Sequence, residues 1–129
     1  MLMKTIVVLG VFLTMVSILS SAQQKGQPED KCCCTTYDTG QCLVAVKDTV
    51  DAELDEAYQK ALQRWSQPTH SDKLKESQRL WSSYRDANCE AEQATYDRGT
   101  IGPNAWAFCR IRLTRQRIEE IKLIYLPEH

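Results

Sequence analysis

Cysteines are the residues whose chemistry this sequence most clearly offers, with six in 129 residues. Three of them are adjacent, Cys32–Cys34, and the others follow singly as Cys42, Cys89 and Cys109. So many thiols in a short chain are typical of a protein that forms disulfides in an oxidising compartment. The cysteines therefore predict covalent cross-links and export from the reducing cytosol.

A metal site is the alternative use of these thiols. Tetrahedral zinc sites usually present paired C-x-x-C spacing, which this chain lacks, and only His70 and His129 could add imidazole ligands. The spacings assemble no catalytic grouping of a nucleophile, a base and an orienting residue. They also give no glycine-rich loop that could bind a phosphate. Trp81, Tyr84 and Trp106 recur at helical spacing and are expected in the core. We therefore predict no catalytic residue, no metal and no cofactor.

The first 22 residues predict export. Lys4 precedes an apolar run from Ile6 to Leu19, and Ser20–Ala22 supplies small residues for a cleavage site. The run of about 14 residues is shorter than the roughly 20 that a membrane-spanning helix needs, although an uncleaved anchor is the alternative. We expect residues 1–22 to be a signal peptide and the mature chain to begin at Gln23. The mature protein should be periplasmic or secreted and free of the membrane.

Composition indicates one small globular domain. The formal net charge is -1, with 43% hydrophobic and 26% charged residues. A chain without basic excess is a poor ligand for nucleic acid or for an anionic membrane, so neither is expected as a partner. Residues 23–31 are polar and contain glycine and proline, which predicts a flexible lead-in before a domain over residues 32–126.

Three long segments carry apolar residues at three- and four-residue steps, the pattern of amphipathic helices. They are expected at about residues 41–65, 71–96 and 103–125. Proline and glycine break the pattern at 66–70 and 98–102, Ser71 or Asp72 suits the second N-cap, and Pro103 suits a first turn. The predicted fold is all-α, an antiparallel helical hairpin bundle of three main helices stapled by disulfides.

Hairpin geometry predicts which residues face each other. Facing residues of the second and third helices should have numbers that add up to about 198, a condition that Cys89 and Cys109 satisfy. A bridge closing a loop of about 20 residues would stabilise the fold by roughly 3 kcal/mol, the alternative being two free buried thiols. For facing residues of the first and second helices, the two residue numbers should add up to about 136. Asp51 and Arg85 meet it and predict a partly buried ion pair, with a planar guanidinium suited to bidentate contact, unless both side chains extend into water.

The cysteine cluster leaves alternatives open. One of Cys32, Cys33 and Cys34 is expected to bridge Cys42, since adjacent cysteines seldom pair with each other. The two remaining thiols could form a vicinal bridge, form an intermolecular bond or stay free.

Several segments resemble a known family. Gln78–Cys89 is similar to the pattern Q-R-x-W-x-x-[YF]-R-D-A-x-C, and Asp51–Tyr58 is similar to D-x-E-L-N-x-x-Y. Gly99–Pro103 and Cys109–Arg117 follow the pattern G-[ST]-I-x-P…C-x-x-x-L-T-x-x-R. These are the motifs of the LprI N-terminal domain family of small exported bacterial proteins. The structural motif positions are Asp51, Leu54, Tyr58, Gln78, Trp81, Tyr84, Arg85, Asp86, Gly99, Pro103, Thr114 and Arg117.

Two departures from the family pattern are visible. The family usually has one cysteine before the Cys42 position, whereas this chain has three, Cys32–Cys34, so the equivalent one is open. Asp55 stands where the family usually has asparagine.

The resemblance implies a secreted or periplasmic binding protein that inhibits lysozyme or binds another envelope or host protein. The predicted first helix carries five carboxylates within nine residues, which could attract a cationic enzyme or form an ordinary solvated face: Asp48, Asp51, Glu53, Asp55 and Glu56. The loops at 66–70 and 98–103 are equal candidates for contact. The alternative function is that of an envelope-associated structural or interaction protein with no enzyme target. The sequence leaves the oligomeric state open.

Overall fold

The computed structural model describes residues 28–32, 35–96 and 99–127. The predicted signal peptide, residues 1–22, lies outside the described residues, and so do Cys33 and Cys34. The elements below therefore concern the predicted domain and the last part of the segment before it.

Three long helices make up the described part of the fold, which confirms the all-α prediction. The elements are a short 3-10 helix, Pro28–Lys31, followed by α1, Thr36–Arg64, α2, Pro68–Ala94, and α3, Gly102–Tyr125. The described part of the chain contains no strand. None of its helices combines the length and the apolar character needed to cross a membrane.

The first helix begins earlier than the sequence pattern predicts. Thr35 is its N-cap: the hydroxyl of Thr35 accepts a hydrogen bond from the backbone N–H of Asp38 at 3.1 Å. The same hydroxyl donates to the Asp38 carboxylate at 2.7 Å. Because this cap satisfies the backbone N–H of Asp38, which has no partner within the helix, it stabilises a helix start before the predicted one, and α1 includes Thr36–Gly40.

The second helix also begins earlier, so the predicted N-cap at Ser71 or Asp72 is wrong. Pro68 occupies the first turn of α2, where its missing N–H costs no hydrogen bond. The proline that interrupts the apolar pattern therefore starts the helix, and the loop between α1 and α2 is shorter than predicted.

The 3-10 helix forms the described end of the segment that the sequence predicts as a flexible lead-in. Cys32 directly follows it and forms a disulfide with Cys42 of α1. Glu29 forms an ion pair with Arg115 of α3. One covalent and one ionic contact therefore hold Pro28–Lys31 against both helices.

Helix α3 is the centre of the bundle. It packs most extensively against α1 and also against α2, whereas α1 and α2 make little direct contact with each other. The main core consists of small and branched apolar residues from all three helices: Leu43, Val50, Leu54, Ala57, Ala61, Leu74, Ala107, Ile111, Ile118 and Ile121.

The largest packing surface joins two helices that run parallel. At one end the side-chain amide of Asn104 donates to the carbonyl of Thr36 at 3.2 Å. At the other end the indole N–H of Trp65 donates to the carbonyl of Tyr125 at 2.9 Å. Gly40 permits the close approach at the first end, because a Cβ there would lie 3.1 Å from the Asn104 side-chain oxygen. Two successive antiparallel turns thus bring the first and third helices side by side in the same direction.

Two disulfides staple the bundle. Cys89 of α2 and Cys109 of α3 are bridged in the interior with no exposed surface, as the hairpin geometry predicts. Among the three adjacent cysteines, it is Cys32 that bridges Cys42. Cys33 and Cys34, whose pairing the sequence leaves open, lie outside the described residues.

Tyr84, which the helical spacing predicts in the core, is exposed. The next residue of α2, Arg85, faces the interior instead, and the Tyr84 ring lies in solvent. Ile124 lies past Ile121, the last residue of α3 in the main core, and is also exposed. A charged residue faces inward in place of an aromatic one because its charge has partners inside the bundle.

Candidate functional site

Asp51 of α1 is at the centre of a charged cluster between the three helices. Its carboxylate Oδ1 accepts a hydrogen bond from Arg85 Nη1 of α2 at 3.4 Å, and Arg85 is buried. The contact is single rather than bidentate because Arg85 Nε donates to Asp86 Oδ1 at 3.0 Å. One guanidinium is therefore shared between two carboxylates.

Thr114 of α3 completes the connection between the helices. Its fully buried hydroxyl accepts from Arg85 Nη1 at 3.3 Å and donates to Asp51 Oδ1 at 3.5 Å. A hydroxyl can serve as donor and acceptor at once, so a single side chain links α1 and α2 through α3.

Two cations of the cluster were missed in the sequence. Arg110 Nη1 donates to Asp86 Oδ1 at 2.6 Å, and Arg110 Nη2 lies 3.9 Å from Asp51 Oδ2. Lys47 Nζ donates to Asp48 Oδ1 at 2.6 Å and to Asp51 Oδ2 at 3.3 Å. The hydrogen bond to Asp48 raises the pKa of Lys47 against the opposing effect of burial, and Asp51 raises it further. Two sequence signals could have found these residues: the hairpin relation pairs Arg110 with Asp86, and Lys47 lies one helical turn before Asp51.

Two half-buried tryptophans provide surfaces for the cations. The guanidinium carbon of Arg85 lies 5.0 Å from the ring centre of Trp81, and that of Arg117 lies 5.9 Å from the same ring. Arg110 stands 4.9 Å from the ring centre of Trp106. Cation–π attraction of this kind stabilises guanidinium groups that have lost much of their water. The indoles thus help to make burial of the arginines possible.

Arg117 of α3 forms a second interhelical network next to the first. Its Nε donates to Gln78 Oε1 at 3.1 Å, and its Nη2 donates to Ser77 Oγ at 3.0 Å, both on α2. Its Nη1 contacts Glu120 Oε2 at 3.1 Å. Arg117 and Gln78, far apart in the sequence, are therefore direct partners.

The motif residues divide into three groups. Most line the two charged networks: Asp51, Gln78, Trp81, Arg85, Asp86, Thr114 and Arg117. Leu54 belongs to the main apolar core, and Tyr58 packs against it. Tyr84, Gly99 and Pro103 are exposed and lie outside the networks. The networks connect the helices through ion pairs and hydrogen bonds, and such buried polar contacts help to set the register of the helices.

Within the described ranges, no group of three or more histidine, cysteine, aspartate or glutamate side chains could hold a metal ion. His70 instead lies against the indole of Trp65, with ring centres 5.7 Å apart. His129, the other candidate, lies outside the described residues.

Comparison with known proteins gives one family. The family model described as lysozyme inhibitor LprI matches residues 30–121, a span that includes all of α1 and α2 and most of α3. An uncharacterized protein of Rhizobium meliloti (strain 1021) is 34% identical over 87 residues, covering 65% of this chain. The alignment spans 56% of that relative, little more than half of its length. No solved structure matches the chain.

Proposed function

The chain belongs to the LprI lysozyme inhibitor family, and on that premise we propose that it is an exported protein that binds and inhibits a lysozyme. The family is one of inhibitors rather than enzymes. The family match over residues 30–121 is the observation that carries the proposal. Two disulfides and the apolar N-terminal run of the sequence support export to the periplasm or beyond the cell.

Inhibition of a lysozyme sets physical requirements, and the rigidity of this bundle supports the proposal. The enzyme cleaves glycosidic bonds with two carboxylates in an open cleft, so an inhibitor has to cover that cleft. A rigid inhibitor binds more tightly because little conformational entropy is lost on association. The buried Cys89–Cys109 bridge and the interhelical networks supply such rigidity here.

The arrangement of the ion pairs makes the surface more acidic than the net charge indicates. Lys47 has 19% of its side chain exposed against 66% for Asp48, and Arg85 has 10% against 46% for Asp86. In these two pairs the cation is the more buried partner and the carboxylate is the more exposed one. Lysozymes are generally cationic, so an outward layer of carboxylates favours encounter with them.

The outer face of α1 is the surface that we propose for this contact. Asp48 and Asp55 are exposed and lie seven residues apart, which places them two turns apart on one side of the helix. Asp51, counted with them in the sequence pattern, is turned toward the interior and engaged with Arg85. The acidic face is therefore narrower than the sequence indicates, and Asp48 joins it to the charged cluster through the ion pair with Lys47.

The test is a lysis assay with lysozyme and bacterial cell walls, using the exported protein with its disulfides intact. We expect inhibition that rises with inhibitor concentration and weakens as salt is added. Absence of inhibition at a large molar excess would contradict the proposal and favour the envelope-associated role without an enzyme target.

A pair of charge variants tests the proposed face. Asp48→Asn/Asp55→Asn should raise the inhibitor concentration needed for half inhibition by about three- to tenfold, because steering charges are removed. The matched control Asp72→Asn/Glu90→Gln removes the same charge from exposed positions of α2 and should change it less than about twofold. Equal effects of both variants would show that the net charge matters and that the α1 face does not.

A further inference from the structure

A groove of about 710 Å³ runs between α1 and α3 on the surface of the bundle. Apolar side chains from both helices and from the segment after α3 line it: Ala57, Ile118, Leu123, Leu126 and Pro127. Leu123 has 79% of its surface exposed, the largest fraction among the large apolar residues that the structure describes. Leu126 and Pro127, both partly exposed, line the same groove, and an exposed apolar patch rimmed by charged residues is typical of an interaction surface.

The charges along this groove are separated by sign. Glu53, Glu56 and Glu119 line the half nearer the 3-10 helix, whereas Lys60 and Lys122 line the half nearer the helix C-termini. At 1.5 Å per residue, Glu53 and Lys60 are roughly 10 Å apart along α1. Because α1 and α3 run parallel, the two helices contribute like charges to the same half. The groove therefore has an acidic half and a basic half.

We propose that a second copy of this chain covers the groove, with the two copies related by a two-fold axis that sets the grooves antiparallel. Such an axis places the acidic half of one groove against the basic half of the other, which is the complementarity that an isologous interface requires. Leu123 lies at the basic half, so the same rotation carries it over the acidic half of the partner groove. There Ala57 and Ile118 form the floor of the groove, each with less than a tenth of its surface exposed.

The existing ion pairs of the groove leave these charges available. Lys60 contacts Glu56 at 2.6 Å and Lys122 contacts Glu119 at 3.2 Å, both within one helix and well exposed. Exposed pairs of this kind contribute little to stability, so a lysine can be shared with a carboxylate of the other copy. Glu53 forms no ion pair with any residue that the structure describes. It is the natural partner for a lysine of the second copy.

The first test measures the mass in solution by sedimentation velocity and light scattering, with the exported protein and intact disulfides. We expect the mass to reach about twice that of one chain as the protein concentration is raised to about 0.1 mM. A dissociation constant of that size is at the weak end of specific association. Leu123→Asp should give a monomer. The matched control is Ile124→Asp, the next residue of α3, which is 58% exposed and lines a different depression with Trp65 and His70. It should still form the dimer.

The second test reverses charges. Glu53→Lys and Lys122→Glu should each weaken association by about tenfold or more, because like charges then face each other. The double variant Glu53→Lys/Lys122→Glu should restore association, since the two-fold axis brings each new lysine to a new glutamate. Circular dichroism and thermal unfolding check that every variant is folded. Restoration in the double variant is the result that an unspecific effect of charge would not produce.

An intermolecular disulfide through the cysteine cluster is the main competing cause of a dimer. Cys33→Ser/Cys34→Ser should therefore remain dimeric if the groove is the interface. The proposal is overturned if the wild-type protein is a monomer throughout, if this serine variant is monomeric, or if Leu123→Asp and Ile124→Asp behave alike. None of these measurements involves lysozyme, so their outcome is independent of the proposed function.

Discussion

Replacing Asp51 with alanine tests whether the charged cluster holds the three helices together. Its carboxylate lies 3.3 Å from Lys47 Nζ, 3.4 Å from Arg85 Nη1 and 3.9 Å from Arg110 Nη2. The substitution therefore leaves three cations in the interior with fewer carboxylates than before. We expect a lower free energy of unfolding with the secondary structure retained.

The magnitude follows from the distances and the exposure. Two unit charges at the 3.4 Å separation of Arg85 and Asp51 attract by about 5 kcal/mol at an effective dielectric constant of about 20, before the cost of desolvation. Breaking a fully buried pair usually costs about 3–5 kcal/mol. The Asp51 side chain is 30% exposed and Arg85 keeps its contact with Asp86, so the expected loss is smaller, about 2–3 kcal/mol. That is a large share of the roughly 5–15 kcal/mol that stabilises an ordinary domain.

Urea unfolding followed by circular dichroism, with the disulfides intact, measures this loss. The matched control is Asp55→Ala, which removes an exposed carboxylate from the same helix and should change the free energy of unfolding by less than about 0.5 kcal/mol. Combining Asp51→Ala with Arg85→Met should give a non-additive result, with a coupling of about 1 kcal/mol or more. The reasoning is refuted if Asp51→Ala and Asp55→Ala are equally mild, or if the two cluster substitutions are simply additive.

Three further predictions concern other parts of the bundle. Cys89→Ala/Cys109→Ala opens a loop with a sequence separation of 20 and should lower the free energy of unfolding by about 3 kcal/mol or more; a loss below about 1 kcal/mol would contradict the assigned bridge. Burial opposes ionisation of Glu29, but the hydrogen bond and charge of Arg115 outweigh it and hold the pKa of Glu29 below its usual 4.5. The stabilisation from ionised Glu29 is therefore complete above pH 4.5 and is lost as the pH falls. Glu29→Gln should thus reduce the fall in melting temperature at acidic pH, and an unchanged fall would refute the assigned ion pair. Tyr84→Ala should leave the free energy of unfolding within about 0.5 kcal/mol of the wild type, because its ring is exposed; a larger loss in urea unfolding would show that it packs in the core.

The local sequence pattern was sufficient to predict the helices and to predict which residues of consecutive helices lie opposite each other. Apolar residues at three- and four-residue steps mark three helices because the α-helix repeats every 3.6 residues. Short turns then determine which positions of consecutive helices lie at equal height, which is why Cys89 with Cys109 and Asp51 with Arg85 could be paired from their numbers. Both inferences depend only on neighbours along the chain.

Which of two neighbouring side chains faces the interior depended on all three helices at once. Arg85 rather than Tyr84 turns inward because Asp51, Asp86 and Thr114 together offer it partners, and these lie on three different helices. A periodic pattern treats the aromatic ring as the better core residue, since it does not include the charges supplied by other helices. The same limitation hid Arg110, whose partners are on α1 and α2.

The sequence by itself thus determined the number of helices, their order and the disulfide between α2 and α3. Only the tertiary structure decided that α3 is the central helix, that its closest neighbour is the parallel α1, and that a groove with two oppositely charged halves lies between them. The physical reason is that the rotation of each helix about its own axis is set by packing between residues far apart in the chain. Periodicity along one helix shows which face is apolar, and the other two helices determine what that face meets.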